Sequence, residues 1–413
     1  MCKITKENDS LQRQTENKDE DSHVPPIKKN VPELRFPEFE GEWKEVQIKD
    51  IANIVGGGTP STKNKDFWNG KINWFTPTEV GENKYLFNSE RKITEKGLEK
   101  SSATLLPINT ILLTTRATIG RRSIILKKST TNQGFQSLTI KNNSNVEFIY
   151  YLLDTLEKIL LRKSCGSTFL ELSKKELKKI NIIIPIIEEQ EKIANFLSAI
   201  DKKIGFMEKK HTLYQNIKKY YSHVLFSNTS DWNKKNLKDI AIIKMGFTPS
   251  TKKEEYWNGN IKWLAVSDMG SKYISKTKKH ITKIAIGKKE IIKKDTLVMS
   301  FKLTIGKLGI LKEDMYSNEA ICNFQWKNKN INTEFMYYYL SSINLKKYGS
   351  QAAKGITLNK ETLNMIPIRI PSYETQINIV NILSNIDIKL EYLSKKINYE
   401  KRYKKGLLQK MFV

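Results

Sequence analysis

Cysteine is scarce in this chain: three in 413 residues, at positions 2, 165 and 322, with no CxxC pair among them. That spacing supplies neither a disulfide framework nor a zinc ribbon, and it fits a reducing cytosol. Long apolar runs are missing too. No stretch approaches the roughly 18 apolar residues of a membrane span. The N-terminus lacks the apolar core of a signal peptide. Residues 1–30 are polar and charged, and they are expected to form a disordered leader. Histidine numbers only four, and none of His23, His211, His223 and His280 stands at ligand spacing from a cysteine or carboxylate. No GxxxxGK[ST] phosphate loop occurs. The run Gly56-Gly57-Gly58-Thr59-Pro60-Ser61-Thr62 lacks that ending and reads as a turn. Neither an NPPY-like motif nor a glycine-rich adenosylmethionine motif is found. Acid is in deficit: 44 Asp and Glu face 71 Lys and Arg, a net charge of +27. Such an excess suggests a polyanionic partner, with solvated lysines as the bland alternative.

What is present is a repeat, which governs the rest of the reading. Residues 43–74 and 232–263 align without a gap at an offset of 189, so Trp43, Thr59, Trp68 and Trp74 answer Trp232, Thr248, Trp257 and Trp263. Further on the offset is 186: Thr118-Ile119-Gly120 answers Thr304-Ile305-Gly306, Asn132 answers Asn318, and Pro185 answers Pro371. Between these stretches, at 76–115 and 262–300, identity largely vanishes. Each copy is thus a similar frame around a dissimilar centre, as expected of two binding domains with different targets. Drift after duplication is the other reading.

Within a copy, short β-branched runs such as 111–115 and 123–126 predict strands. Asn69-Gly70 and Asn258-Gly259 predict turns. Residues 146–162 predict helix. Ser173 is placed as a helix N-cap with Glu176 three residues on, followed by a strand through Ile182–Ile184. A long helix is expected over 188–226, with apolar residues at Ile193, Leu197, Ile200, Ile204 and Met207, then His211 and Tyr214, in alternating steps of four and three. The second copy repeats the seam at Ile379, Leu383, Ile386, Leu390, Leu393 and Ile397. Both copies then change phase together, at Tyr214, Ile217 and Tyr221 and at Glu400, Tyr403 and Leu407, which implies shared geometry. A narrow heptad seam needs a partner, and the simplest partner is the other copy. Two helices of about 38 residues would make a rod of roughly 57 Å.

No catalytic constellation emerges, so the candidate functional residues are binding residues. Lys63, Lys65, Lys252 and Lys253 flank the two TPST turns. Arg116, Arg121 and Arg122 bracket the first Thr-Ile-Gly segment, and Lys302 and Lys307 bracket the second. Arginine can read guanine through two hydrogen bonds, and either cation can meet phosphate. Trp68, Trp74, Trp257 and Trp263 are read as framework rather than as platforms for bases. His211 is read as a packing residue of the seam.

These pieces, in this order and twice over, resemble the specificity subunit of type I restriction–modification enzymes. The resemblance runs from Val31 to Val413. It is carried by the Val31–Phe39 lead-in (VPELRFPEF), the paired Trp-to-Trp openings, the paired Thr-Ile-Gly segments, and the Pro-x-x-Glu-x-Gln starts of the long helices from Pro185 and Pro371. The closing Gly406–Phe412 is also similar to that family. The 30-residue leader is not accounted for. The resemblance implies a mixed α/β (α+β) fold: a pseudo-two-fold internal repeat of two target recognition domains separated by an antiparallel two-helix coiled coil. The segments would be a leader at 1–30, domains at 31–187 and 227–372, and spacer helices at 188–226 and 373–413. It further implies a cytoplasmic, non-catalytic subunit that reads a split, asymmetric double-stranded DNA target in the major groove. Two modification (methyltransferase) subunits and the restriction subunits would be its partners. Those partners would bind adenosylmethionine, ATP and magnesium, with no cofactor or metal on this chain. Two rival classes stay open at this point: a self-contained methyltransferase or nuclease with an unrecognised site, and a basic protein-interaction scaffold.

Overall fold

A computed structural model describes residues 30–165, 170–302, 304–352 and 355–413. The predicted leader, with Cys2 and His23, lies outside the described residues except for Asn30. Among the described residues the chain forms two compact units, one of those up to Asp201 together with Arg402–Val413, the other of those within Lys202–Lys401. Each division falls inside a long helix. The cause is packing: each unit takes the end of a long helix into its core.

In the first unit, short apolar-rich runs build a five-stranded sheet in the spatial order Ala52–Gly56, Phe135–Ile140, Ile111–Thr114, Arg122–Ile125, Tyr85–Leu86. Neighbours are antiparallel except the last pair, where Tyr85–Leu86 runs parallel to Arg122–Ile125. A three-stranded sheet places Trp68–Phe75 between Arg91–Ile93 and Ser129–Thr131. The second unit repeats both sheets. Its larger sheet runs Ala241–Met245, Ile321–Trp326, Leu297–Ser300, Leu308–Leu311, Tyr273–Ile274, and its smaller one centres on Trp257–Leu264. The mixed α/β fold with two similar sheet domains is thus present.

The central strands of the larger sheet are buried on both faces, successive side chains pointing to opposite sides. In the second unit Leu297 and Met299 face a core shared with the helix Thr333–Ser342 and with Ile379 and Leu383 of the long helix. Val298, between them, faces the opposite core with Leu264, Ile274 and Leu311. In the first unit Leu112 faces the corresponding core with Phe75, Leu86 and Phe135.

The two Asn-Gly pairs do not make turns. Each lies inside a strand as a β-bulge: Trp68 and Ile72 both oppose Ile93, and Trp257 and Ile261 both oppose Ile281. Asn69 and Asn258 take the extra residue's left-handed conformation, with φ of 62° and 60°. A Cβ on Gly70 or Gly259 would sit 2.3 Å from the carbonyl oxygen of Ile93 or Ile281. Glycine is therefore required by the neighbouring strand. The stretch predicted helical at 146–162 is broken at Leu156 into Val146–Thr155 and Glu157–Arg162. Ser173 does cap the helix Lys174–Lys178, accepting the Glu176 N–H at 3.2 Å.

The long helices span Ile187–Ser227 and Tyr373–Met411. Their starts share one device. Gln190 is buried, donates to Pro185 O at 2.9 Å and accepts the N–H of Asn145 at 2.9 Å. Gln376 does the same with Pro371 O and with the Asn332 N–H. That explains the glutamine of the Pro-x-x-Glu-x-Gln motif. Of the seam residues, Ile193, Leu197, Ile200, Ile204, Met207, Ile379, Leu383, Ile386, Leu393 and Ile397 are buried, while Leu390 is half-buried. Within the second unit the helices run antiparallel. Lys203 pairs with Glu400 at 2.6 Å, His211 Nε2 lies 3.0 Å from Ser394 Oγ, and Lys218 pairs with Asp387 at 2.6 Å. After the phase change Glu400 and Leu407 are buried, whereas Tyr221 and Tyr403 are exposed.

The helix ends close the cores. Phe412 packs on Trp43 and Phe148 in the first unit, with ring centroids 6.4 and 5.2 Å apart. Phe226 packs on Trp232 and Phe335 in the second, at 6.3 and 6.2 Å. The lead-in straps the first unit: Leu34 N–H donates to Lys410 O at 2.8 Å, and Arg35 grips the buried Glu189 carboxylate through two bonds of 2.8 and 2.7 Å.

Candidate nucleic-acid interface

Strand register decides which loops meet. In the first unit Gly56 opposes Gln136, Thr114 opposes Phe135 and Leu113 opposes Arg122, so the loops 57–67, 115–121 and 132–134 leave the same end of the sheet. In the second unit Met245, Ser300, Leu308 and Ile321 mark the corresponding end. The loops are held tightly there. A Cβ on Gly57 would fall 1.9 Å from Asn132 O, and one on Gly246 would fall 2.2 Å from Asn318 O. Only this glycine of the Gly-Gly-Gly run recurs in the second copy, because only here does the backbone approach repeat.

The Thr-Ile-Gly segments form the tips of hairpins. In the first, Thr114 Oγ1 donates to Thr118 O, Gly120 N–H donates to Thr114 O at 3.0 Å, and Gly120 takes a φ of 94°. In the second, Ser300 Oγ donates to Thr304 O, Gly306 N–H donates to Ser300 O at 2.9 Å, and Gly306 takes a φ of 85°. The cations beside these tips differ in availability. Arg121, Lys302 and Lys307 are exposed. Arg116 is exposed and ion-paired with Glu171 at 2.8 Å. Arg122 is held inward: it donates to Tyr150 O at 2.7 Å and Gly120 O at 3.2 Å, pairs with Asp154, and lies over the Tyr150 ring. Its three guanidinium nitrogens are occupied within the chain. Its counterpart in the second copy is Leu308, so this tie to the helix belongs to the first unit alone. A cleft of about 450 Å³ opens beside the hairpin, walled by Thr118, Gly120, Arg121, Asp154 and Lys404 among others.

Lys63, Lys65, Lys252 and Lys253 are exposed but lie elsewhere. Lys65 begins the 3-10 turn Lys65–Phe67, which feeds the strand Trp68–Phe75 at its far end. That strand, about 20 Å long, ends at Phe75, whose carbonyl accepts the Asn132 N–H at 3.1 Å. The two cation groups of each unit therefore flank opposite ends of one strand. The tryptophans hold the loop between them. Trp74 and Trp68 donate to Gly58 O and Ser61 O at 2.9 and 3.1 Å, and the rings meet edge to face at 5.0 Å. Trp263 and Trp257 repeat this with Phe247 O and Ser250 O. They serve as framework.

Sequence reasoning missed a partly buried polar network behind each sheet. In the first unit Lys84 Nζ donates to Glu147 at 3.0 Å and to the Tyr151 hydroxyl at 2.8 Å, Tyr151 donates to Asp201 at 2.6 Å, and Lys404 closes on Asp201 at 2.5 Å. Tyr85 donates to the other oxygen of Glu147. In the second unit Lys272, Glu334, Tyr338, Asp387, Lys218 and Tyr273 repeat the arrangement, at 2.8 Å for Lys272 to Glu334 and 2.7 Å for Tyr338 to Asp387. Burial, reinforced by the bonds to Asp201 and Asp387, pushes the Tyr151 and Tyr338 hydroxyls far above the ordinary tyrosine range. Burial also lowers the Lys84 ammonium, against the opposing pull of Glu147. The same burial would raise Glu147 and Glu334. Hydrogen bonds from Tyr85 and Lys84, and from Lys272 and Tyr273, outweigh it and hold both carboxyls low. The tyrosines thus stay neutral donors and the acids charged acceptors. One signal was available: Lys84-Tyr85 and Lys272-Tyr273 are a shared pair at an offset of 188, inside the stretch where identity otherwise vanishes.

Among the described residues no group of histidine, cysteine and acidic side chains is placed to hold a metal ion, and no helix is long and apolar enough to cross a membrane.

Comparison with known proteins places this geometry. The family model for the type I restriction modification DNA specificity domain matches the chain twice, over residues 40–214 and 229–400. The chain is 34% identical over 251 residues to the type I restriction enzyme MjaIX specificity subunit of Methanocaldococcus jannaschii, covering 55% of this chain and 58% of that one. It is 31% identical over 205 residues to the EcoR124I/EcoR124II specificity subunit of Escherichia coli, covering 47% and 50%. The matched part spans about half the length of these two curated relatives. The crystal structure of a type I restriction–modification S subunit from M. genitalium aligns with a TM-score of 0.60 at 17% identity, covering 93% of this chain and 99% of that one, a likeness of fold.

Proposed function

The chain belongs to the type I restriction–modification DNA specificity family, and on that premise we propose that it is the DNA-reading subunit of such a complex. Each sheet domain reads one half of a split, asymmetric target in double-stranded DNA. The paired long helices set the gap between the halves and dock two modification subunits. Methyl transfer, with its adenosylmethionine, belongs to those partners. ATP-driven cleavage, with its magnesium, belongs to restriction subunits, and the complex works in the cytoplasm. The observation that supports this reading best is the repeat itself. The same sheet end, with the same tight glycine and the same hairpin, recurs in both units, while exposed cations around it differ: Arg116 and Arg121 in one, Lys302 and Lys307 in the other. Cations around a fixed frame suit phosphate contacts that position, with unlike neighbours that specify.

The test is the host methylome with and without this gene. Loss of one split motif with two unlike halves is the expected result. An unchanged methylome, or loss of a single unsplit palindrome, overturns the reading. Inserting the same few residues in both long helices should change the gap and leave both halves as they were. Altered half-sites would refute the spacer role.

A further inference from the structure

The twin networks join four pieces of chain in the same way in each unit. Lys84 and Tyr85 belong to the short edge strand and the turn before it, Glu147 and Tyr151 to the helix behind the sheet, and Asp201 and Lys404 to the two long helices. In the second unit Lys272 and Tyr273, Glu334 and Tyr338, and Asp387 and Lys218 take those places. The closing lysine always comes from the other long helix, Lys404 against Asp201 and Lys218 against Asp387. Burial is matched as well: the Lys84 and Lys272 side chains are each 11% exposed. The edge so anchored is the one that carries the hairpin. Gly81 N–H donates to Ser123 Oγ at 3.1 Å, Ile124 N–H donates to Lys84 O at 2.7 Å, and Arg121 packs on Gly81.

Apolar packing resists separation but is only weakly directional. A chain of charge-assisted hydrogen bonds is directional, and turning one member leaves partly buried donors and acceptors unmatched. Such a chain, placed where a sheet domain meets the long helices of its own unit, fixes an angle. The angle matters for a split target: one added base pair displaces a half-site by about 3.4 Å and rotates it by about 35°.

Resting on the reading of the preceding subsection, we propose that these two networks are specificity-determining for gap length. They hold each recognition sheet at one orientation on the long-helix segments of its own unit, and the gap preference depends on that hold. Tyr151, Tyr338 and their partners are positioning residues that touch no base.

The test uses the full chain assembled with its modification subunits. Methylation rates are measured on targets with the native gap and with one base pair added or removed. In the variant Tyr151→Phe with Tyr338→Phe, the rings stay and the bridging hydroxyls go. The native target should be methylated within about threefold of the wild-type rate, while the preference for the native gap falls by about tenfold or more, a change of one decade in a ratio of equilibria. Lys404→Met with Lys218→Met, at less buried positions, should lower the preference in the same direction. It decides by the same ratio if the tyrosine variant does not fold. A purely structural role would lower the melting temperature and all three rates together, leaving the ratio unchanged, and that result overturns the proposal alone. A wild-type complex that accepts all three gaps equally, or reads an unsplit site, overturns the gap reading and the proposal with it.

Discussion

Salt titration of DNA binding gives a number that the structure constrains. Eight of the nine candidate cations are exposed, namely Lys63, Lys65, Arg116, Arg121, Lys252, Lys253, Lys302 and Lys307, whereas Arg122 is only partly exposed and each of its guanidinium nitrogens makes a bond within the chain. Each phosphate neutralised contributes about −0.9 to the slope of log K against log salt, so eight contacts predict a slope near about −7. Over the fourfold rise from about 50 to about 200 mM salt, that is a loss of about four decades in affinity. The measurement is fluorescence anisotropy on a duplex carrying the target, for the wild type and two variants. Lys252→Ala with Lys253→Ala should flatten the slope by about 1.8, twice the per-contact value. Arg122→Ala should leave the slope unchanged, because that guanidinium is held by Tyr150 O and Asp154. The reasoning fails if the wild-type slope is shallower than about −2. It also fails if loss of Arg122 flattens the slope as loss of an exposed lysine does.

Three further outcomes are expected. Gly205→Ala, in a helix with nothing within 4 Å of the added carbon, should stabilise the chain by about 0.5–1 kcal/mol in urea denaturation. Gly57→Ala, which would place a carbon 1.9 Å from Asn132 O, should destabilise it, and equal effects of the two substitutions would contradict the steric account. Arg35→Leu, which leaves the buried Glu189 carboxylate without its cation, should cost about 3–5 kcal/mol, and a loss below about 1 kcal/mol would show that the lead-in strap contributes little. The Cys322 thiol, wholly buried, is pushed up by desolvation from 9.0 to about 12. The fold therefore favours the neutral thiol: that contribution is complete below pH 9.0 and is lost as pH rises toward about 12. At about pH 8 iodoacetamide should label the exposed Cys165 and spare Cys322 in the native chain, since only an accessible thiolate reacts. Equal labelling rates would refute the burial argument.

The paired domains and long helices were legible because each leaves a periodic trace. The heptad steps from Ile193 and Ile379 survive comparison of the two copies, and so do the prolines that open the helices. The Asn-Gly pairs were misread because a turn and a bulge demand the same left-handed residue. Only the neighbouring strand, through Ile93 O and Ile281 O, tells them apart. Arg121 and Arg122 are indistinguishable as letters, yet one is exposed and the other tied to Tyr150 and Asp154. That difference comes from the helix behind the hairpin, some 30 residues further along the chain.

What this sequence determined by itself is duplication, a basic surface and a seam that seeks a partner, since composition and period are properties of the chain alone. The tertiary structure decided which polar groups answer one another. Lys84, Glu147, Tyr151, Asp201 and Lys404 span more than 300 positions and have no common spacing. Their bonds exist because sheet, short helix and two long helices converge in one unit, where a partly buried charge must find its partner.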